Sequence, residues 1–407
     1  MSRGYRVTAL DWEDVPIGRI DLPLGPLDMV WGFGSGLSRR TGDAAGTVWA
    51  IGDRGPNLKV ELAVERYGLE QLAVHASASK AKVMPRLDIG PALAELRVGR
   101  KKVRLVRILP LTGDDGTVIG GRPPPGSEQA LVEPAIDLRG AVIPPDPSGA
   151  DTEGVVALPD GGFIVGDEYG PSLLRLDADA RVIERWVPAG SAAAFDGARY
   201  PVRDILPAIA SRRRLNRGFE ALALSPDGQH IALMLQSPLA HPDDAVGRKA
   251  RHVRLWVIEL VTGTVVAEHL YPLDKPKAFR RDADAGREDI KVSEIVWLAD
   301  GSLLVLERVS QSTKIYRVLL DVPAPAGGLD LSTSPTLEER SAAKEELPVL
   351  AKTLVLDTDG SPEIDADLEG MVVLGRRELL LVNDNDFGVE GARTGFWRVR
   401  FDRPLFG

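Results

Sequence analysis

No cysteine occurs among the 407 residues, so a disulfide framework, a thiolate zinc site, an iron-sulfur cluster and a cysteine nucleophile are all excluded. That lack suits cytosol and periplasm alike. No apolar stretch approaches the roughly 20 residues that span a bilayer, so no membrane partner is expected. Met1 to Leu10 shows no basic start followed by an apolar run, and no signal peptide is visible. As written, the chain is expected in the cytoplasm, or outside it if a leader has been trimmed. Positive charge is in the minority, 50 Lys and Arg against 59 Asp and Glu for a formal charge of -9. This argues against a nucleic-acid partner and suits bound cations. Histidine is scarce, with five residues and neither an HExxH pair nor a close pair for zinc. His241, in Ser237-Pro238-Leu239-Ala240-His241-Pro242, is expected on a solvent-exposed rim loop, with a general-base role as the alternative. Gly34-Ser35-Gly36 does not satisfy G-x-S-x-G, and no phosphate-binding or dinucleotide glycine motif occurs.

What is present is an ordinary globular balance, 44% apolar and 27% charged. The 42 Gly and 30 Pro demand many turns and favour short strands over long helices. One phrase recurs: an acid, an alternating apolar run, an Asp-Gly turn, then a second apolar run ending in acid. Glu153 to Gly161 leads into Phe163-Ile164-Val165 and Asp167-Glu168; Glu220 to Gly228 leads into Ile231 to Leu235; Glu294 to Gly301 leads into Leu303 to Leu306 and Glu307-Arg308. A fourth copy starts at Glu369 and ends at Asn383-Asp384-Asn385-Asp386, and a degenerate fifth runs from Ser35 to Asp53-Arg54. Asp-Gly between alternating apolar runs signals a hairpin. Further strand pairs fill the gaps: Ala92 to Val98 with Val103 to Leu109, Leu173 to Asp177 with Val182 to Val187, and Val253 to Leu260 with Thr264 to Leu270.

Repeated hairpins without crossover helices predict an all-β fold, a β-propeller over residues 1–407 as a single domain, with an immunoglobulin-like tandem as the competing architecture. Six blades are expected, with the two termini meeting in one of them. The glutamates recur roughly every 70 residues, beyond the 40 to 50 of a simple blade, which leaves room for insertions. Two insertions stand out: a Pro/Gly-rich loop near 120–147, and a segment near 321–347 in which Ser334 caps and Pro335 opens a short helix over Leu337 to Leu347. The second is read as an excursion from a blade edge, with a lid as the alternative.

In a propeller the first strand of each blade lines the channel, so Glu153, Glu220, Glu294 and Glu369 would converge on one axis. Such a group requires raised pKa values or a bound cation. An all-oxygen set suits calcium first and magnesium second; the alternative is that each Glu caps backbone N–H groups. A second acidic tier, Asp53, Asp167, Glu168, Glu307 and the run containing Asp384, follows the inner strands and is interleaved with Arg54, Arg217, Arg308 and Lys314. Carboxylates could hold a metal while guanidiniums grip an anion, as phosphate-ester chemistry requires, with plain ion pairing as the alternative. The run at Asn383 is not an EF-hand, because Thr394 stands where the closing Glu would fall.

Asp53-Arg54-Gly55-Pro56-Asn57, Asp151-Thr152-Glu153-Gly154, Gly166-Asp167-Glu168-Tyr169-Gly170-Pro171-Ser172, Asn216-Arg217-Gly218-Phe219-Glu220-Ala221-Leu222 and Gln236-Ser237-Pro238-Leu239 together resemble the phytase-like family, characterised by an esterase-like activity of phytase. The resemblance runs in order from about Leu27 to Arg400. It implies a β-propeller related in style to calcium-dependent phytases, which hydrolyse phosphomonoesters of inositol phosphates. Members often carry export signals. Glu153-Gly154 followed by Leu158-Pro159-Asp160-Gly161 is also similar to the calcium-dependent lactonases and gluconolactonases, which bind a central calcium through such a Glu.

The expected function is thus calcium-dependent hydrolysis of a small phosphorylated substrate by a monomer. A lactonase or arylesterase and a non-catalytic binding propeller are the alternatives. The expected metal ligands are Glu153, Glu220, Glu294, Glu369 and Asp384; the catalytic groups Arg54, Arg217, Arg308 and Glu168; the substrate contacts Asp53, Asp167, Glu307 and Lys314.

Overall fold

The computed structural model describes residues 4–76, 80–126 and 132–407. Each Asp-Gly phrase folds as a hairpin because its glycine supplies a left-handed corner: φ is 103° at Gly161 and 72° at Gly228, which costs glycine nothing. The apolar runs on either side then pair antiparallel, Val155 opposite Val165 and Leu222 opposite Leu233.

These hairpins head five sheets of four or five strands among the described residues, arranged as the blades of a propeller. The first blade runs outward from Gly36–Ser38 through Thr47–Ile51 and Ala92–Val98 to Val103–Pro110. The second starts at Thr152–Ala157, the third at Phe219–Leu224, the fourth at Lys291–Trp297 and the fifth at Leu368–Gly375. The five inner strands contact one another in chain order, and the fifth returns to the first. The expected six blades are therefore corrected to five. The stretch between Gly36 and Glu153, long enough to hide a blade, instead holds the outer strands of blade one and three very short strands, Leu58–Lys59, Lys82–Val83 and Ala135–Ile136, that form a separate small sheet. The termini do meet: Tyr5–Leu10 pairs antiparallel with Phe396–Phe401 and completes the fifth blade.

The large apolar cores pack between neighbouring blades. Trp49 of blade one meets Phe163 of blade two edge-on at 4.8 Å, and Phe219, Trp256, Val292 and Val305 belong to a core spanning blades two to four. At the axis the strands come too close for large side chains: a Cβ on Gly154 would collide with the Glu220 carbonyl of the next blade. Below this level Val155, Leu222, Ile295 and Val373 line the lower channel, a cavity of about 190 Å³ with walls from all five inner strands.

Above the upper mouth sits a cap. The hairpin Pro16–Leu22 with Gly25–Val30, the short helix Val60–Glu65 and the small three-stranded sheet share a core of Leu27, Met29, Val60, Tyr67 and Leu72. Phe387 and Val389 of blade five belong to that core and anchor the cap. The expected loop at 120–147 contributes Ala135–Ile136 to it, while residues 127–131 lie outside the described residues. The 321–347 segment forms a helix only over Leu337–Ala342, capped by Thr336 rather than Ser334. Thr336 accepts from the Glu339 N–H at 3.0 Å and Glu339 reaches back to Thr336 at 2.7 Å, a reciprocal capping box that outcompetes the proline start. Glu338 pairs with Arg254 at 2.7 Å, and Leu337 and Leu347 pack on Leu270. The segment is thus fixed to blade three and is no lid.

Candidate active site

In every blade after the first, the inner strand bulges at its start. The ladder slips between Thr152 and Val155, Phe219 and Ala221, Val292 and Glu294, and Leu368 and Gly370. A bulge re-aims the extra side chain, and the displaced residues are Glu220 and Glu369 in blades three and five, with Glu153 inside the blade-two slip. In blade four the displaced residue is Ser293, so Glu294 is one position out of phase. The second strands end at the same level with Asp53, Glu168, Arg308 and Asp384, and the mouth acquires two unlike walls.

One wall is acidic. Asp53, Asp151 and Glu153 each bring a carboxylate oxygen within 4.8 Å of the other two. Burial, then the neighbouring charges of Asp151 and Asp384, pushes Asp53 well above the usual carboxylate range. Burial, then Asp151, Glu168 and Glu220, does the same to Glu153. Asp151 is raised to about 7 by burial, although Arg54 opposes the shift. Arg54 is the cation of this wall: it pairs with Asp151 at 2.5 Å and Glu133 at 2.8 Å, donates to Asn216 at 2.7 Å and lies over Tyr169. Glu168 is raised to about 7 by burial and then by Glu220, and its buried Oε1 has no hydrogen-bond partner among the described residues. Asp384 is likewise raised to about 7, by burial and then Asp386. An all-oxygen set of mutually repelling, buried carboxylates with one free oxygen beside it fits a hard divalent cation, and Asp53, Asp151 and Glu153 could hold one.

The facing wall is basic. Arg217 is lowered by burial and then by Arg214, with Arg308 adding to the effect, and its buried Nη1 has no hydrogen-bond partner among the described residues. Lys80 of the cap is lowered by burial and by the charges of Arg217 and Arg214. Lys291, placed directly opposite Arg308 in the ladder, is pushed down to about 7 by Arg308 first, then burial and Arg217. Beside these groups the cap leaves a cavity of about 330 Å³ lined by Lys59, Lys80, Lys82, Glu133 and Asn216. The last two are the residues that hold Arg54, so cavity and acidic wall adjoin.

Several expected residues fall elsewhere. The Glu294 carboxylate accepts from the Leu37 and Ile295 N–H groups at 3.0 and 3.1 Å and from Met371. It caps backbone where blades four, five and one meet, a consequence of its out-of-phase position, and is not with the acidic trio. Asp167, expected at the substrate, is fully buried, paired with Arg185 at 2.5 Å, and accepts from the Asp151 N–H at 2.8 Å. It positions Asp151. Glu307 accepts from Tyr271 and the Asp274 N–H, both at 2.7 Å, and from Lys352 at 2.6 Å, and Lys314 pairs with Asp357 at 2.8 Å; both are spent on packing within and between blades three and four. Glu220 has Arg308, Lys291 and Arg217 as its neighbouring cations, and its charge also acts on Glu153 of the trio and on Glu168. Arg308 donates to Ser293 at 2.9 Å and Asp367 at 3.0 Å and pairs with Glu369. It is therefore fully engaged, whereas Arg54 keeps an unpartnered buried Nε but has both terminal nitrogens taken, and among the three expected arginines Arg217 is the one with a free buried terminal nitrogen among the described residues. His241 is buried rather than solvent-exposed, with both ring nitrogens unpartnered among the described residues.

Residues outside the sequence expectation complete the site. Asp151 was legible in Asp151-Thr152-Glu153 as an acid two positions before the bulge. Lys291 carried only its place three residues before Glu294, and Glu133 and Lys80 arrive through the cap, for which no local pattern speaks.

With this geometry in place, the comparisons with known proteins give the class. The model of the phytase-like family, described as having esterase-like activity of phytase, matches residues 30–387. The chain is a member of that family, whose esterase-like activity makes it a hydrolase-type propeller. A secreted protein of Arthroderma benhamiae, itself described as uncharacterized, is 25% identical over 376 residues, covering 83% of this chain and 70% of that one. Among solved structures, a luciferin-regenerating enzyme is similar at 10% identity and a TM-score of 0.34, covering 99% of this chain and 98% of its own. A gluconolactonase of Xanthomonas campestris is similar at 10% identity and a TM-score of 0.30, covering 76% and 68%. At these scores the chemistry rests on this chain's own residues. Among the described residues no helix is long and apolar enough to cross a membrane.

Proposed function

We propose that this chain is a divalent-ion-dependent hydrolase of small phosphomonoesters, calcium first and magnesium second, acting at the upper channel mouth as a monomer, with residues 1–407 working as one propeller domain. The observation that carries the reading is the unpartnered buried Nη1 of Arg217 on a cationic wall, facing three clustered carboxylates across one mouth. An ion held by Asp53, Asp151 and Glu153 would polarise the phosphoryl oxygen and activate a water. Arg217 grips the equatorial phosphoryl oxygens, and Lys80 adds charge from the cap. Glu168, through its free Oε1, takes the proton of the attacking water. Arg54 and Arg308 act at one remove, holding Asp151 and Glu369 in place. The secreted fungal relative favours action outside the cytoplasm.

The test is a panel of phosphomonoesters, phytate included, beside a panel of lactones, each with calcium and with chelator. Calcium-dependent phosphomonoester turnover is expected. Turnover of lactones alone would give the site to lactonase chemistry, and turnover of neither would make the propeller a binding module.

A further inference from the structure

In blade four Lys291 and Arg308 are direct partners in an antiparallel ladder. Like charges so placed are destabilising; Asp367 and Glu369 pair with Arg308, while Glu220 and Asp367 offset only part of the repulsion at Lys291. The groups facing Lys291 are Arg308 from its own sheet, Arg217 and Glu220 from blade three, and Asp367 from blade five. Lys291 is half-buried and opens the inner strand of blade four, across the ring from blades one and two, which carry the acidic trio.

We propose that Lys291 is the general acid of this site, giving the proton that the departing ester oxygen requires. The inference rests on the phosphoester reading above. Water attacks from the acidic wall, so the in-line leaving oxygen emerges toward the basic one. As the P–O ester bond breaks, its electron pair goes to the ester oxygen, and one N–H proton of the Lys291 ammonium moves to that oxygen. The new P–O bond forms from the water, whose proton leaves on the acidic wall, and the neutral amine is recharged from solvent. A lysine held near neutrality by Arg308, burial and Arg217 is suited to this transfer, because proton donation is most effective when the donor's pKa lies near the working pH. A bound phosphate dianion favours the ammonium, so the proton is loaded as the substrate arrives.

The test compares wild type, Lys291→Met and Lys291→Arg with an alkyl phosphate such as glycerol 2-phosphate, which leaves as a strong base, and with p-nitrophenyl phosphate, which leaves without help. Lys291→Met should lower kcat for the alkyl ester on the order of a hundredfold and for the aryl ester less than about threefold. Lys291→Arg keeps the charge but cannot release a proton, and it should behave like Lys291→Met. Equal losses on both esters, or rescue by arginine, would overturn the proposal by reducing Lys291 to an electrostatic contact. Failure of the phosphoester reading is separate: wild type would then turn over neither ester with calcium present, and the acid role would fall with it.

Discussion

Chelation and pH should act on stability together, through the acidic trio. In the unfolded chain an Asp titrates near its ordinary value, whereas Asp151 in the fold is raised to about 7. A carboxyl raised on folding binds more protons folded than unfolded between those values. Its stabilising contribution is therefore complete below about pH 4 and is lost as pH rises through about 7. A displacement of roughly three units corresponds to about 4 kcal/mol, with Asp53 and Glu153 acting in the same direction. Ion-free protein should thus become less stable between about pH 5.5 and about pH 8, while ion binding, which requires the deprotonated carboxylates, strengthens over the same interval. A free ion concentration one hundred times Kd stabilises by about 2.7 kcal/mol. For 407 residues the unfolding entropy is roughly 0.85 kcal/mol/K, so Tm should rise by about 3 °C. Calorimetry at both pH values, with excess calcium and with chelator, measures this, and Glu153→Gln should abolish the calcium shift. Equal midpoints with calcium and chelator at the higher pH, with no metal by elemental analysis and no loss of ion-free stability on raising the pH, would refute the reasoning.

Three further outcomes follow from individual contacts. Arg217→Lys keeps the charge but loses the planar fork, and should lower phosphomonoester kcat on the order of a hundredfold without changing Tm. Arg185→Met strands the buried Asp167 carboxylate; a loss of about 3–5 kcal/mol is expected in denaturant unfolding, together with weaker calcium binding because Asp151 loses its support. Glu294→Gln, which retains an acceptor oxygen for the Leu37 N–H, should unfold within about 1 kcal/mol of wild type, whereas Glu294→Leu should cost about 1–3 kcal/mol by leaving buried backbone donors unsatisfied; equal midpoints for the two would remove the capping role.

The strand phrases were legible because hairpins are local: alternation and Asp-Gly turns act within about ten residues, and the predicted pairs Ala92 to Val98 with Val103 to Leu109 coincide with the observed ones to within a residue. Blade number was not legible, since it depends on what the long stretch after Gly36 builds, and the cap sheet pairs strands of only two residues. At the site, Glu153, Glu220 and Glu369, which repetition picks out as metal ligands, stand at the bulged starts of three inner strands. Repetition misplaced Glu294, because a bulge shifts the frame by one residue and Ser293 occupies the equivalent position. Asp167 and Arg308 looked available in sequence, but their partners Arg185, Asp367 and Glu369 come from other strands and blades, and long-range pairing leaves no local trace.

The pairing of Tyr5–Leu10 with Phe396–Phe401 also dictates when the molecule can be finished. During synthesis the first strand emerges almost four hundred residues before its partner, so it must wait as an unpaired edge while blades one to four are assembled. The ring shuts only after release of the last segment, and the mouth, whose walls come from every blade, is complete at that same moment. Loss of either end of the chain would therefore unlatch the ring without removing a single residue of the site.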